Sequence, residues 1–225
     1  MNVLLFGATG MIGGGTLREC LDDPRVTTVT AVGRRPPGLT HPKLRDVVHT
    51  DFGNLAPLGP VFAQTDACFF CLGISAAGKS EAEYSKITYD IPLAVARALV
   101  TARPDATFSY ISGRGADSTE KGAIMWARVK GRIENALFGL PFRGVYILRP
   151  GIIQPTRGVR SSTGWYQAFY TVTAPILPLL REAMPGFVTS TDRIGRALIE
   201  LAATRPPSRI VDSVDVNRIA TASSG

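Results

Sequence analysis

Trp126 and Lys130 lie four residues apart in the segment MWARVKG, a spacing that places both side chains on one face of a helix. An indole is only a hydrogen-bond donor and does not titrate, so Trp126 cannot act as a general acid or base. With Val129, Ile133 and Leu137 it forms an apolar stripe, which favours a core or pocket-wall position. The alternative is that the indole stacks on a bound ring or narrows a pocket. A lysine beside such a stripe can also simply extend to solvent.

A glycine-rich turn, VLLFGATGMIGGGTL, follows the first apolar run and leads into a helical pattern. Gly7 permits a tight turn, Gly10 lets the backbone approach a pyrophosphate, and Gly13 lets the helix pack against the strand. The free N–H groups at the start of that helix can then bind phosphates. The pattern predicts a dinucleotide site rather than an unliganded glycine turn.

The second apolar run ends in TAVGRRPPG, at the position that decides cofactor choice in dinucleotide-binding folds. An acidic residue about 20 positions after the glycines usually binds the ribose 2′-hydroxyl and selects NAD. Arg34 and Arg35 stand there instead, and guanidinium groups can bind a 2′-phosphate bidentately. The sequence therefore favours NADP(H) over NAD(H). The alternative is a solvated arginine pair at a strand end.

Two further strand ends are candidates for contact with the cofactor. Asp51 and Phe52, placed at the end of the third strand, can line an adenine pocket, although an aromatic residue there is also ordinary packing. After the fourth strand, Leu72 and Gly73 can let the cofactor pass over the carboxyl end of the sheet.

Neither a redox dithiol nor a metal site is expected. Cys68 and Cys71 are three apart in an apolar strand, so their side chains point to opposite faces and belong to the core. A redox thiol usually has a helix N-terminus that lowers its pKa. The only histidines, His41 and His49, belong to no spaced set of ligands, and we predict no metal.

Short apolar runs alternate with longer helical patterns along the chain. This alternation predicts an α/β fold with a doubly wound parallel sheet. Strands are predicted at residues 2–6, 28–32, 46–50, 67–71, 107–112, 145–148 and 209–212. Helices are predicted at residues 12–21, 81–102, with a possible kink at Pro92, 120–138 and 192–203.

One domain is expected over residues 1–225, with a dinucleotide-binding core at 1–155. Residues 156–225 are expected to form a small substrate-side cap, followed by a final helix and strand. Residues 164–180 are uncharged and rich in aromatics, which favours a buried lid over a hydrophobic substrate. Contact with a membrane surface is the alternative, and no run is long enough for a transmembrane segment.

Composition narrows the choice of partner and compartment. The net charge of +7 favours anionic ligands, but the basic residues are scattered, so a nucleic-acid partner is not expected. Three cysteines do not make a disulfide framework, and no leader pattern precedes the first strand. These features predict a cytoplasmic protein.

Residues 1–155 contain seven segments in this order: GATGMIG, GRRP, DFGNL, CLGISAAGK, ISGRGAD, WARVKGRIE and LRPGIIQP. With this set the chain resembles the short-chain dehydrogenase/reductase superfamily, in its atypical branch of NmrA-like and Tat-interacting-protein-like members. The resemblance implies a Rossmann fold that binds NADP(H). It assigns cofactor contacts to Gly7, Thr9, Gly10, Met11, Ile12, Gly13, Arg34, Arg35, Asp51, Phe52, Cys71, Leu72, Gly73, Lys130, Pro150 and Gly151.

The family's catalytic set is a serine after the fifth strand and a Tyr-x-x-x-Lys on the next helix. By resemblance Ser112 matches the serine and Lys130 the lysine, while Trp126 stands at the tyrosine position. Substitute proton donors weighed from the sequence are Tyr84, Tyr89, Tyr110, and Ser112 with a water molecule.

Two functions follow as hypotheses. The first is an NADP(H)-dependent oxidoreductase or epimerase-like enzyme with an altered acid, acting on a small molecule. The second is a non-catalytic NADP(H)-sensing protein that acts through a regulatory protein partner, as some members of the resembled branch do. The sequence leaves the oligomeric state open.

Overall fold

A seven-stranded, wholly parallel sheet forms the centre of the molecule in the computed structural model, which describes residues 1–156 and 187–222. The strands run at β1 Asn2–Phe6, β2 Thr28–Gly33, β3 Leu44–Val48, β4 Ala67–Phe70, β5 Thr107–Ile111, β6 Gly144–Arg149 and β9 Ile210–Asp212. Their order across the sheet is β3-β2-β1-β4-β5-β6-β9. β7 (Ile152–Gln154) and β8 (Val188–Ser190) form a separate parallel pair. The doubly wound α/β fold predicted from the sequence is confirmed.

Helices cover both faces of the sheet, and each face has its own apolar core. The first face carries α1 (Met11–Asp22), α6 (Thr191–Thr204) and α7 (Ser213–Ala222), which bury Leu17, Ile194 and Val216. The second carries α2 (Gly59–Ala63), α4 (Ile91–Ala102) and α5 (Met125–Phe138), which bury Phe62, Leu99 and Ile133. Burial on both faces explains why β1 and β4 are almost continuously apolar; β5 is equally buried but alternates apolar residues with Thr107 and Ser109.

Several predicted boundaries were wrong. β3 ends at Val48 rather than at residue 50, so Asp51 and Phe52 lie beyond the strand. The helix predicted at 81–102 is divided into α3 (Glu81–Ser85), a π-helical turn at Lys86–Asp90 and α4. Pro92 occupies the first turn of α4, where a missing N–H is tolerated. The helix predicted from residue 120 begins at Met125, after a loop.

Elements missed from the sequence are short or follow another element directly. They are a 3₁₀-helical turn at Ala56–Leu58, α2, α7, β7 and β8. Helix α6 packs against α1, where an added Cβ at Gly15 would lie 2.6 Å from Thr191 Cβ. Arg196 on α6 also donates to Glu19 on α1 over 2.9 Å. Residues 157–186, most of the proposed cap including 164–180, lie outside the described residues, and the division at residue 155 stays a prediction.

Gly131 is the point at which the loop between β5 and α5 packs on the helix. A Cβ there would lie 1.7 Å from the carbonyl oxygen of Asp117, so only glycine allows this approach. Asp117 also donates its N–H to Ala127 O over 2.9 Å, and its carboxylate accepts from Thr119 N and Gly122 N. The loop that follows Ser112 is therefore fixed to α5 at several points.

We expect Gly131→Ala to lower the free energy of unfolding by roughly 1–3 kcal/mol, because overpacking outweighs the better helix propensity of alanine. Chemical denaturation of wild type and variant measures the difference. Gly139→Ala is the matched control, since its Cβ would meet its nearest neighbour, Ala136 O, at 3.5 Å. Equal stability of Gly131→Ala and wild type would show that the loop does not depend on this contact.

Candidate functional site

The turn between β1 and α1 has the geometry of a phosphate-binding loop. Gly7 has a φ of +85°, and a Cβ there would lie 2.7 Å from the backbone of Cys71. A Cβ at Gly13 would lie 2.1 Å from Gly7 O, so this glycine lets the helix lie against the turn. Gly10 precedes α1, and within the described residues no side chain caps the N-terminus of this helix. Its first N–H groups are therefore available to an anion.

A cavity of about 620 Å³ opens at the carboxyl ends of β1, β2 and β4. It contains nine of the residues predicted to bind the cofactor: Gly7, Thr9, Gly10, Arg34, Arg35, Phe52, Cys71, Leu72 and Gly73. The sequence analysis missed its apolar wall, formed by Ile74, Ile87 and Ile91. The spacing of Ile87 and Ile91, which places both on one helix face, was the available signal.

One end of this cavity carries positively charged side chains only. Arg34 and Arg35 follow β2 with exposed side chains, and no carboxylate belongs to the cavity lining within the described part of the chain. Phe52 lies near them, with its ring centroid 6.3 Å from that of Phe6 and 5.5 Å from that of His49. The cavity therefore combines an aromatic side chain, two guanidinium groups and the glycine turn, a set of groups that fits a dinucleotide.

The other predicted cofactor contacts lie outside the cavity lining. Met11, Ile12 and Gly13 form the first turn of α1. The Asp51 carboxylate accepts from Gly53 N over 3.0 Å and so closes its own turn. Pro150 O accepts from Arg114 N over 3.0 Å, and Gly151 N donates to Ser213 Oγ over 3.0 Å. Lys130 lies on α5, beside β5.

The cysteines of the C-x-x-C pair occupy unreactive surroundings. Cys68 is fully buried, and burial raises the pKa of its thiol well above the ordinary value. Cys71 lies against the cavity, and burial raises its pKa to about 12. Neither thiol therefore has thiolate character at neutral pH. In the described residues, no three His, Cys, Asp or Glu side chains gather as metal ligands would.

Trp126 lies on the first turn of α5, over the loop that follows β5. A Cβ added at Gly115 would lie 3.4 Å from the Trp126 Cη2 atom, and one at Gly113 would lie 4.0 Å from Cζ3. Val129 and Ile133 further along the helix are fully buried, whereas Trp126 is only half-buried. The indole thus packs against the loop after β5, and it is not part of the fully buried apolar stripe of α5.

Ser112 is bound to a buried ion pair that the sequence analysis did not identify. Its hydroxyl donates to the carboxylate of Glu134, which is completely buried. Arg149 on β6 donates to the same carboxylate through Nε, at 3.1 Å from Oε2, and through Nη2. Its Nη2 also donates to Ser118 Oγ over 2.6 Å. An acidic residue four positions after Lys130, within the apolar face of α5, was the available signal.

Lys130 is half-buried with its ammonium at the end of β5. Its Nζ donates to Ile111 O over 2.9 Å and lies 4.9 Å from the centre of the Tyr110 ring. Burial lowers the pKa of this lysine from 10.5 to about 8, and the charge of Glu134 opposes that shift in part. A substantial fraction of neutral amine is therefore present at mildly alkaline pH.

The tyrosines considered as substitute proton donors are held elsewhere. The Tyr110 hydroxyl is buried and donates to Thr88 O over 3.1 Å, and burial raises its pKa well above 10.0. Burial also raises the pKa of Tyr84. The ring of Tyr89 lies under the guanidinium of Arg132, 4.8 Å from its centre. Tyr84 and Tyr110 are therefore poor acids at neutral pH.

Relatives found by sequence comparison carry a common name. Protein fmp52, mitochondrial, of Emericella nidulans is 32% identical over 214 residues, which cover 88% of this chain and 85% of the relative. The chain belongs to the Fmp52 family. The Fmp52 protein of Saccharomyces cerevisiae is also 32% identical, over 72% of this chain and 69% of its own length. A scan against protein-family models found no match.

Solved structures similar to this Fmp52 family member share its fold at low sequence identity. MoeE5 in complex with UDP-glucose and NAD has a TM-score of 0.67 and 18% identity, covering 100% of this chain and 81% of that one. UDP-glucuronic acid 4-epimerase from Bacillus cereus in complex with NAD has a TM-score of 0.64 and 15% identity, over 94% and 78%. A short-chain dehydrogenase/reductase superfamily protein from Agrobacterium tumefaciens with bound NAD has a TM-score of 0.65 and 14% identity, covering 94% of this chain and 77% of that one. The Rossmann-like fold of that superfamily is thereby confirmed.

The comparisons also correct the sequence analysis. The Fmp52 relatives are named mitochondrial in several fungi, so the cytoplasmic location expected from the sequence was wrong. Assignment to the NmrA-like branch stays a prediction, because these relatives carry only the Fmp52 name. Among residues 1–156 and 187–222, no helix combines the length and apolar character needed to cross a bilayer.

We expect Glu134→Gln to lower the free energy of unfolding by roughly 3 kcal/mol, because it leaves the Arg149 guanidinium without its carboxylate. Urea denaturation at neutral pH measures this loss. Asp215→Asn is the control, since it breaks an ion pair with the largely exposed Arg218 and should cost less than about 1 kcal/mol. Similar losses for the two variants would contradict a special role for the buried pair.

Proposed function

We propose that this protein binds NADP(H) in the cavity between the glycine turn and Arg34–Arg35. The observation that carries the proposal is one cavity that joins an uncapped helix N-terminus to two arginines and contains no carboxylate among its described lining residues. A dinucleotide phosphate needs both features, since its pyrophosphate binds helix N–H groups and its 2′-phosphate binds guanidinium groups.

Each part of the cofactor has residues that suit it. Gly7, Thr9 and Gly10 would hold the pyrophosphate, and Phe52 would face the adenine. Leu72 and Gly73 would let the chain of the cofactor cross the end of β4. The similar solved structures named above contain NAD, so the preference for NADP(H) rests on the two arginines of this chain.

Titration calorimetry tests the cofactor choice directly. We expect NADPH to bind more tightly than NADH by roughly 10- to 100-fold, because hydrogen bonds to charged groups are worth about 1.5–3 kcal/mol. The double variant Arg34→Ala, Arg35→Ala should lose this preference while keeping its affinity for NADH.

Arg97→Ala is the matched control for that experiment. Arg97 is an exposed arginine on α4 and is not part of the cavity. Its replacement should leave both affinities unchanged. Equal affinity of the wild type for NADPH and NADH would contradict the proposed cofactor.

The proposed activity is that of an oxidoreductase or epimerase-like enzyme with an altered acid. Bound NADP(H) would supply hydride transfer to or from a small-molecule substrate. Lys130 lies at the end of the neighbouring strand β5, and Trp126 forms a wall of the loop that follows. The enzyme would work without the tyrosine phenol of the resembled family's catalytic set.

A second candidate is a non-catalytic NADP(H)-sensing protein that acts through a protein partner. The observation that favours it is the commitment of Ser112, whose hydroxyl donates to Glu134. A serine that also had to bind a substrate oxygen would lose this buried contact. In this case cofactor binding occurs without turnover.

Restoring the phenol distinguishes the two candidates. We expect Trp126→Tyr to raise the rate of NADPH oxidation with a panel of aldehydes and ketones by about 10²–10⁴-fold, the usual contribution of a positioned general acid. The measurement is loss of NADPH absorbance.

Trp126→Phe is the matched control, because it keeps an aromatic ring and lacks a hydroxyl. Any gain shared by Trp126→Phe and Trp126→Tyr would come from pocket size alone. An absence of turnover in the wild type and in both variants, with tight NADPH binding, would favour the sensing protein.

A further inference from the structure

The ammonium of Lys130 lies at the carboxyl ends of the strands, the side of the sheet on which the cofactor cavity opens. It donates to the carbonyl oxygen of Ile111, the last residue of β5. β4 and β5 pair in parallel with Phe70 opposite Tyr110, so Ile111 comes one step beyond that pair, beside Cys71. Cys71 lines the cavity. The lysine therefore lies one strand away from the path proposed for the cofactor.

The charged groups around Lys130 leave its ammonium without an ion pair in the described part of the chain. Glu134 lies one turn further along α5, but its carboxylate binds Ser112 and the Arg149 guanidinium on β6. From β5 the neighbour is the ring of the un-ionised Tyr110. Within residues 1–156 and 187–222, Ile111 O is the one acceptor of this ammonium, so N–H groups remain for a ligand.

We propose that Lys130 itself is the general acid and base of the site and takes the place of the phenol that Trp126 cannot supply. This inference rests on the proposed NADP(H)-dependent activity. The substrate class is an aldehyde or ketone, which becomes an alcohol. As hydride from NADPH bonds to the carbonyl carbon, the C=O π electrons move to oxygen, which takes a proton from the Lys130 ammonium. NADP⁺ and a neutral amine remain, and the amine regains its proton from solvent.

The other candidate groups are less suited to this step. The Ser112 hydroxyl donates its hydrogen bond to the Glu134 carboxylate, and the Tyr110 hydroxyl donates its hydrogen bond to Thr88 O. The lowered pKa of Lys130, about 8, is closer to neutral pH than that of an ordinary lysine, as efficient proton transfer requires.

A titration that does not depend on activity tests the state of the amine. Lysines are labelled by reductive ¹³C-methylation, and their NMR signals are followed against pH in the full-length protein. We expect one signal with a midpoint near pH 8 that is absent from Lys130→Arg, present in Lys121→Arg, and shifted by saturating NADP⁺. Lys121 is an exposed lysine in the loop before α5 and serves as the control. A midpoint above about 10 for Lys130 would overturn the proposal.

The pH dependence of carbonyl reduction tests the role in catalysis. The kcat/KM value should fall above about pH 8, as the ammonium loses its proton. Lys130→Arg should lower kcat by about 10²-fold or more, because arginine keeps the charge but does not release a proton. Calorimetry should find its NADPH affinity within a few-fold of wild type.

The outcomes separate this inference from the proposed function. Tight NADPH binding with unchanged kcat in Lys130→Arg, or with no carbonyl reduced by the wild type, overturns the acid role and leaves cofactor binding intact. Failure of the wild type to bind NADPH in calorimetry overturns the proposed function together with the inference.

Discussion

The buried ion pair between Glu134 and Arg149 is the contact on which the rest of the site depends. It joins α5 to β6, and it also binds Ser112 at the start and Ser118 in the middle of the segment that follows β5. Two charges removed from water stay compatible with the folded state only when their remaining hydrogen-bonding positions are filled. The hydroxyls of Ser112 and Ser118 fill two of them, so the desolvation of this carboxylate and the contacts of Asp117 with α5 together fix the segment.

The two ends of the site consequently obey different constraints. At the glycine turn, backbone groups and two exposed arginines form an open binding site, and little of the core depends on what binds there. At the end of β5, Ser112 and Lys130 already have partners within the fold. A ligand at that end must work with the donors left over, which is why the chemistry of the site cannot be carried over from its relatives by residue type.

Sequence patterns were informative where one local rule decides the structure. The glycine spacing and the apolar runs of β1 and β4 led to the correct sheet because both strands are buried on both faces. β3 was misplaced because it is an edge strand with mostly exposed or half-buried residues, which weakens the apolar signal. The contact of Glu134 with Arg149 was missed because periodicity on α5 says nothing about which residue of β6 it meets. The role of Ser112 was likewise inferred from its position, whereas its partner decides what its hydroxyl can do.

The π-helical turn before α4 has a consequence for how the second face of the sheet is held together. In this turn main-chain hydrogen bonds span five residues, as from Ile91 N to Lys86 O, and the turn presents the carbonyl of Thr88 to the sheet. Tyr110, from the strand beneath, donates to that carbonyl. A main-chain carbonyl of the helix layer thus accepts a hydrogen bond from a side chain of the sheet layer. This buried hydrogen bond ties the position of the π-helical turn to that of β5, so a shift of either element would cost the contact.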